Sequence, residues 1–425
     1  TTIKNTITGS GKLHLKAAGK LETQFAGSGD EAFTGTVEAE GIKFKASGTA
    51  KQFKHADVVL GARAEYKADE SQTVKSMHAQ SGSKLDFTGT VNPLTVTGDL
   101  TLDDGSDVEA DLPGTFTKDI LDQITGDSVV LARASGTVSL DSNAKLNGRT
   151  GEQVMTGSVC AGAADATYKT KLDGTNGLAV TRKLTALDLQ AGKALDIDAS
   201  STTNKNLSVA VGGSGNLNFK AGNVEFSSDG NTYTGTTTLS GGTLNITGVN
   251  ALGKTSKLNI LSGQATVAAD QELNASLEVA SAAKLELAGN TLKLTNGTSH
   301  VNGTLAGSGG LWINGGQLDV ASGNSSFGGT TTLEAGAKAN LNDADSLGGA
   351  SATINFKDNT GTVTLSKTGA ADIKAKLSGA GTVEVDLGGA TNALTLSNNG
   401  NNFTGTLKVK NAGLTLTGNE ASTLA

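Results

Sequence analysis

The chain is almost without proline, cysteine and aromatic residues: 425 residues hold 2 Pro, 1 Cys and 4% Phe, Trp and Tyr. The single cysteine, Cys160, excludes an internal disulfide, and it is expected to be a buried, small apolar residue. Proline removes a ladder donor, so its near absence suits long, continuous sheets. It also argues against a disordered linker, which is usually rich in Pro and poor in β-branched residues. No apolar run approaches 18 residues, so no helical membrane span is expected. The formal charge of -7, from 41 acids and 34 bases, is mild and weighs against nucleic-acid binding. The opening Thr1-Thr2-Ile3 lacks a signal-peptide pattern, which leaves a cytoplasmic chain or a mature or excised fragment.

What fills the chain is Gly (58 residues), Thr, Ser and Asn, with Leu, Val, Ile and Ala as the apolar part. These residues repeat. An aromatic, a Gly two residues on, a Thr and then alternating apolar positions recur at Phe33, Tyr233, Phe327 and Phe403, with a weaker copy around Phe87. A second motif precedes each strong copy: "ITGSGKL" from Ile7, "VGGSGNL" from Val211, "LAGSGGL" from Leu305 and "LSGAGTV" from Leu377. The spacing from its first residue to the aromatic is 26, 22, 22 and 26 residues. Two linked motifs that keep their spacing four times mark a repeat architecture.

Between the motifs run short period-2 strands such as "TLNITG", "KLNILSG", "KLELAG" and "TLKLTNG", each closed by Gly, Asn or Ser. Alternation of apolar residues with Thr, Asn and Lys predicts one buried and one wet face. A β-sandwich array and a β-solenoid both fit. The lack of Trp, Tyr and Pro punctuation favours the solenoid, with coils of roughly 18 to 24 residues stacked at the strand spacing of about 4.8 Å. Residues 1–200 are expected to form less regular coils, with excursions near 61–83 and 116–128, the latter a candidate short helix. Residues 201–425 are expected to form the regular repeat region. Phe33, Tyr233, Phe327 and Phe403 are expected to stack in the core.

The paired motif, "GSGNL…NTYTGTTTLSGGTLNITG", resembles the autotransporter-associated β-strand repeat, also called the passenger-associated transport repeat. Copies lie near 7–48, 211–248, 305–342 and 377–416. The resemblance is to adhesin passengers of Gram-negative type V secretion, of the AIDA-I and antigen 43 type. It implies an all-β, right-handed parallel β-helix exported to the cell surface and tethered through an outer-membrane β-barrel that is not in this sequence. It also implies that the chain is a fragment of a longer passenger.

Catalytic chemistry is sparse. His14, His55, His78 and His300 have no partner spacing, and "GDS" at Gly126 lacks the neighbours of a serine nucleophile. No catalytic residue, cofactor or metal site is expected, and the chain is not expected to be an enzyme. The acid-rich "DLTLDDGSDVEADLP", with Asp99, Asp103, Asp104, Asp107, Glu109 and Asp111, is expected to be a solvated face. Calcium ligation and paired-carboxylate glycosidase chemistry are the alternatives. Alternation would put Asp103, Asp107 and Glu109 on one side of a strand.

The first 54 residues carry eight Lys against five acids. If coils stack them, Lys12, Lys16, Lys20, Lys43 and Lys45 would make a polyanion-binding face for a glycosaminoglycan; ordinary outward lysines that discourage edge pairing are the alternative. Trp312, the only Trp, is either an outward contact anchor or a core filler. The leading expectation is a surface adhesin that binds copies of itself on neighbouring cells, driving aggregation and biofilm formation. Adhesion to host glycans or matrix proteins and a passive stalk are the alternatives.

Overall fold

The computed structural model describes residues 1–17, 22–26, 33–46, 51–68, 72–89, 92–111, 120–200, 204–295 and 297–416. Lys20 lies outside them. The described chain is almost wholly β, a solenoid of about 18 turns of stacked parallel strands. Its one helical element is the 3-10 turn Cys160–Gly162. Two compact units form: Thr1–Gly157 with Thr167–Leu184, and Ser158–Ala166 with Thr185–Ala425.

Strands form where the sequence alternates, and the alternation is also the burial pattern. Lys257–Ile260, Ser276–Val279 and Gln317–Val320 each bury every second residue. In the second unit one inward row runs Phe219, Leu239, Ile260, Val279, Val301, Val320, Leu341, Leu365, Val385 along successive parallel strands. All are nearly free of solvent. Each such side chain contributes about 1.5–3 kcal/mol by leaving water. The row beside it admits Thr237 and Ser299, both buried. Thr237 is satisfied by the Tyr233 hydroxyl (2.7 Å) and Ser299 by the Leu277 amide (3.0 Å). Strand Asn216–Phe226 turns a corner: its first part pairs with Thr237–Leu239 and its last with Thr243–Ile246.

The two sequence motifs lie on successive coils, one directly over the other. Gly9 bridges Phe33, Gly307 bridges Phe327, and Gly379 pairs with Phe403. The Thr234 amide donates to the Gly213 carbonyl at 3.0 Å. One coil is therefore the register step of 24 residues from Gly9 to Phe33 and from Gly379 to Phe403, and of 20 from Gly307 to Phe327, each two fewer than the motif spacing. Two residues beyond each aromatic, Gly35, Gly235, Gly329 and Gly405 pass close over the preceding coil. A Cβ there would stand 1.9, 1.9, 1.8 and 1.9 Å from the carbonyl oxygens of Gly11, Gly215, Gly309 and Gly381. No side chain fits, which is why the motif demands glycine. The aromatics before them are buried: Phe33 4%, Tyr233 0%, Phe327 0% and Phe403 3% exposed.

An asparagine just upstream of the aromatic fastens the stack in the second unit. Asn231 Oδ1 accepts the Val211 amide (2.8 Å) while its Nδ2 donates to the Ala251 carbonyl (2.6 Å). Asn324 does the same between the Leu305 amide (2.7 Å) and the Ser346 carbonyl (3.0 Å). Asn401 accepts the Leu377 amide at 2.7 Å. Val211, Leu305 and Leu377 are the first residues of the upstream motif, so one amide side chain joins the two motifs, and at Asn231 and Asn324 it reaches the following coil as well.

The irregular parts differ from expectation. The described residues of 61–83 (61–68 and 72–83) stay within the coils: Glu65–Lys67 and Ser76–Ala79 pair in parallel with strands on both sides. Arg63, Glu65, Lys67 and Lys75 sit on outward positions, while Tyr66, Val74 and Met77 point in. Of 116–128, residues 116–119 lie outside the described residues. Residues 120–125 make turns and a bend rather than a helix, burying Ile120, Leu121 and Ile124. The real departure is later. Asp127–Ala134 pairs antiparallel with Leu178–Leu189, and Ala164–Asp173 and Gln153–Val159 extend the same sheet.

The stacked glycines make opposite predictions for the two members of one contact. Gly35→Ala forces a methyl onto the Gly11 carbonyl and should cost about 1–3 kcal/mol. Gly11→Ala meets open space and should change stability by about 0.5 kcal/mol or less. Asn324→Ala, which strips a buried amide of its partner, should cost about 1–3 kcal/mol. Urea midpoints of the purified variants check all three.

Candidate functional site

The lysines expected to form one face are divided between two sheets. Lys12 and Lys16 lie on Lys12–Lys16, in the six-stranded sheet of the first unit; Lys43 and Lys45 lie on Lys43–Ala46, in its eight-stranded sheet. All four are paired with acids. Lys12 contacts Glu38 (2.6 Å), Lys16 contacts Glu40 (2.8 Å), Lys45 contacts Glu22 (3.4 Å), and Lys43 contacts Glu65 and Asp86. A shallow hollow of about 470 Å³ beside Lys16 is lined equally by Glu38 and Glu40.

The pairing follows from the register. On the eight-stranded sheet one outward row reads Glu22, Lys43, Glu65, Lys84, Asp107, Lys145, one residue per coil and alternating in sign throughout. Opposite charges directly across a ladder favour the pairing, and like charges oppose it. Next to this row Asp86 is buried. Burial alone would raise its carboxyl, but the Thr88 hydroxyl and amide and the Lys67 ammonium (3.0 Å) outweigh that and hold it at about 2. Burial would lower Lys43, yet Glu65 and Asp86 raise it.

The acid-rich segment is likewise divided. Asp103 follows strand Leu100–Leu102 and holds His78 at 2.8 Å, whereas Asp107 and Glu109 lie on Asp107–Glu109 in the other sheet. Glu109 takes Lys84 (2.7 Å), Asp99 takes the Thr137 amide (2.7 Å) and Asp111 takes the Gly89 amide (2.6 Å). Among the described residues no group of His, Cys, Asp and Glu gathers with metal-ligand geometry. Cys160 is exposed rather than buried, in a left-handed turn (φ 51°).

Trp312 lies at the centre of Gly310–Asn314 on an outward position, half-buried. Its register neighbours are Lys293 and Thr332. Lys293 and Lys357 stand 5.0 and 4.2 Å from the ring centroid, and the indole Nε1 donates to Glu334 at 3.1 Å. Glu334 also pairs with Lys357 at 3.0 Å. Cation–π contacts and the ion pair hold the ring against the sheet. The sequence signal for this cluster is a residue spacing of one coil, which becomes legible once the coil length is known.

The second unit carries the longest outward row: Asp196, Asn218, Thr238, Asn259, Glu278, His300, Asp319, Asn340, Thr364, Glu384, Lys408. Neighbours within it bond side chain to side chain, as in Asn218 to Asp196 (2.8 Å), Asn340 to Asp319 (2.7 Å) and Lys408 to Glu384 (2.8 Å).

The chain is 32% identical over 182 residues to the uncharacterized protein YuaQ of Escherichia coli (strain K12). The match takes in 41% of this chain and 13% of that protein, so the chain spans a small part of this relative. No protein-family profile matches the chain, and no solved structure matches it.

The Asp86 cluster makes stability depend on pH. A carboxyl held near 2 when folded and near 3.8 when unfolded contributes about 2 kcal/mol above pH 4. That contribution disappears as pH falls through about 2. Asp86→Asn should lose it at neutral pH and flatten the acid dependence between pH 4 and 2, read from urea unfolding at pH 7, 4 and 2.

Proposed function

We propose that the chain is a stretch of a cell-surface passenger, exported by type V secretion from a Gram-negative cell, whose outward ladders bind the same ladders on neighbouring cells. The observation that carries this reading is the continuous row from Asp196 to Lys408. It presents hydrogen-bonding groups at the strand spacing, and a second copy offers the same spacing. One contact between two such rows is worth about 1 kcal/mol or less, but contacts held in register act together. The motif resemblance supports export and surface display. The ion-paired lysines of the first unit offer little free charge to a glycosaminoglycan, so the reading of a lysine face as a host-ligand site draws no support from the geometry.

Cells displaying the chain, mixed with differently labelled non-displaying cells, provide the test. Self-association predicts clumps of displaying cells alone. Changing Asn218, Asn259 and Asn340 to Asp adds like charge along the row and should abolish the clumps while display is retained. Dispersed displaying cells would sink the proposal and leave a passive stalk.

A further inference from the structure

The strands that leave the coil pattern enclose a cleft of about 680 Å³ within the first unit. Its walls are Ala164–Asp173, Leu178–Leu189 and the start of Asp127–Ala134. Such a volume falls in the range of about 300–1,000 Å³ common for small-ligand sites.

Charge in this cleft is arranged differently from the ladders. Its three carboxylates are engaged: Glu152 by Lys169 (2.8 Å), Asp173 by the Thr175 hydroxyl (2.7 Å), and Asp127 by the Ser128 amide (2.9 Å). Arg182 is buried with its guanidinium 4.2 Å from the Tyr168 ring centroid. Lys171 and Lys183 are exposed at the cleft, and among the described residues neither has an acid within 4 Å. Neither ammonium is in an ion pair, although Lys171 lies near enough to Asp173 to help the Thr175 hydroxyl hold that carboxyl below its usual range; both face a concavity, where low-dielectric walls concentrate their field. The remaining lining includes the hydroxyls of Thr125, Ser128 and Thr181.

This combination selects a ligand class. Ammonium groups call for carboxylate or sulfate, and hydroxyl walls suit a ligand rich in hydroxyls. The one aromatic face close by, on Tyr168, is covered by Arg182, so a nucleobase finds no stacking platform. We propose that the cleft binds a short anionic saccharide, carrying uronate or sulfate groups, through Lys171 and Lys183. The site is separate from the lysines of the sheet faces and from the row proposed for self-association, and it stands or falls independently of that row.

Calorimetric titration of the full chain with a heparin-derived tetrasaccharide and a hyaluronan-derived tetrasaccharide tests this, the two probes separating sulfate from uronate recognition. At least one should bind, with affinity falling as salt rises. The double variant Lys171→Gln with Lys183→Gln should bind about tenfold more weakly or worse. Both residues are exposed, so its circular dichroism and urea midpoint should match the parent. Lys12→Gln with Lys16→Gln should leave binding unchanged. The proposal is overturned if neither saccharide binds, if the cleft variant binds as the parent does, if a neutral cello-oligosaccharide binds equally well, or if inorganic sulfate alone binds as tightly.

Discussion

Backbone hydrogen bonds between successive coils fix their separation near 4.8 Å, and every other feature of the chain accommodates that distance. At most positions side chains project in or out and the separation is easily kept. At the corner where the aromatic motif crosses the glycine motif, main chain lies on main chain, and the glycines at 35, 235, 329 and 405 are what allow it. The aromatic rings fill the space beside them, and the asparagines at 231, 324 and 401 satisfy the amides left at the turn.

The same separation explains which parts of the structure are legible in sequence. Repeats, coil length and the buried aliphatic rows follow from periodicity, because each inward side chain repeats its neighbour's environment. Antiparallel and parallel strands share the same period of two, so the hairpin of Ala164–Asp173 and Leu178–Leu189 looks like more coil. Only its turn, "DGTNG" from Asp173, betrays it. Conversely, the charge density of 61–83 suggests a loop, although charges are tolerated on every outward position of a coil.

The pairing of the lysines is hidden in the sequence for a related reason. A count of Lys in a stretch of sequence ignores the acids that lie one coil away. Lys12 meets Glu38 and Lys43 meets Glu65, pairings invisible until the chain is wound. In the cleft the pairing is incomplete: Lys169 takes Glu152 and Lys171 acts on Asp173 without an ion pair, while Lys171 and Lys183 stay exposed.

The row Glu22, Lys43, Glu65, Lys84, Asp107, Lys145 bears on how such a chain can change length over evolution. Removing or duplicating one coil anywhere in it would set two like charges face to face. That row therefore favours changes in steps of two, while the row beside it already sets Lys45 against Lys67 and Asp86 against Glu109. In the long row of the second unit the uncharged stretch Asn218, Thr238 and Asn259 carries no such parity, and these residues would pair equally well with one another's neighbours. Single coils should therefore be gained and lost more readily around residues 218–259 than within the row from Glu22 to Lys145.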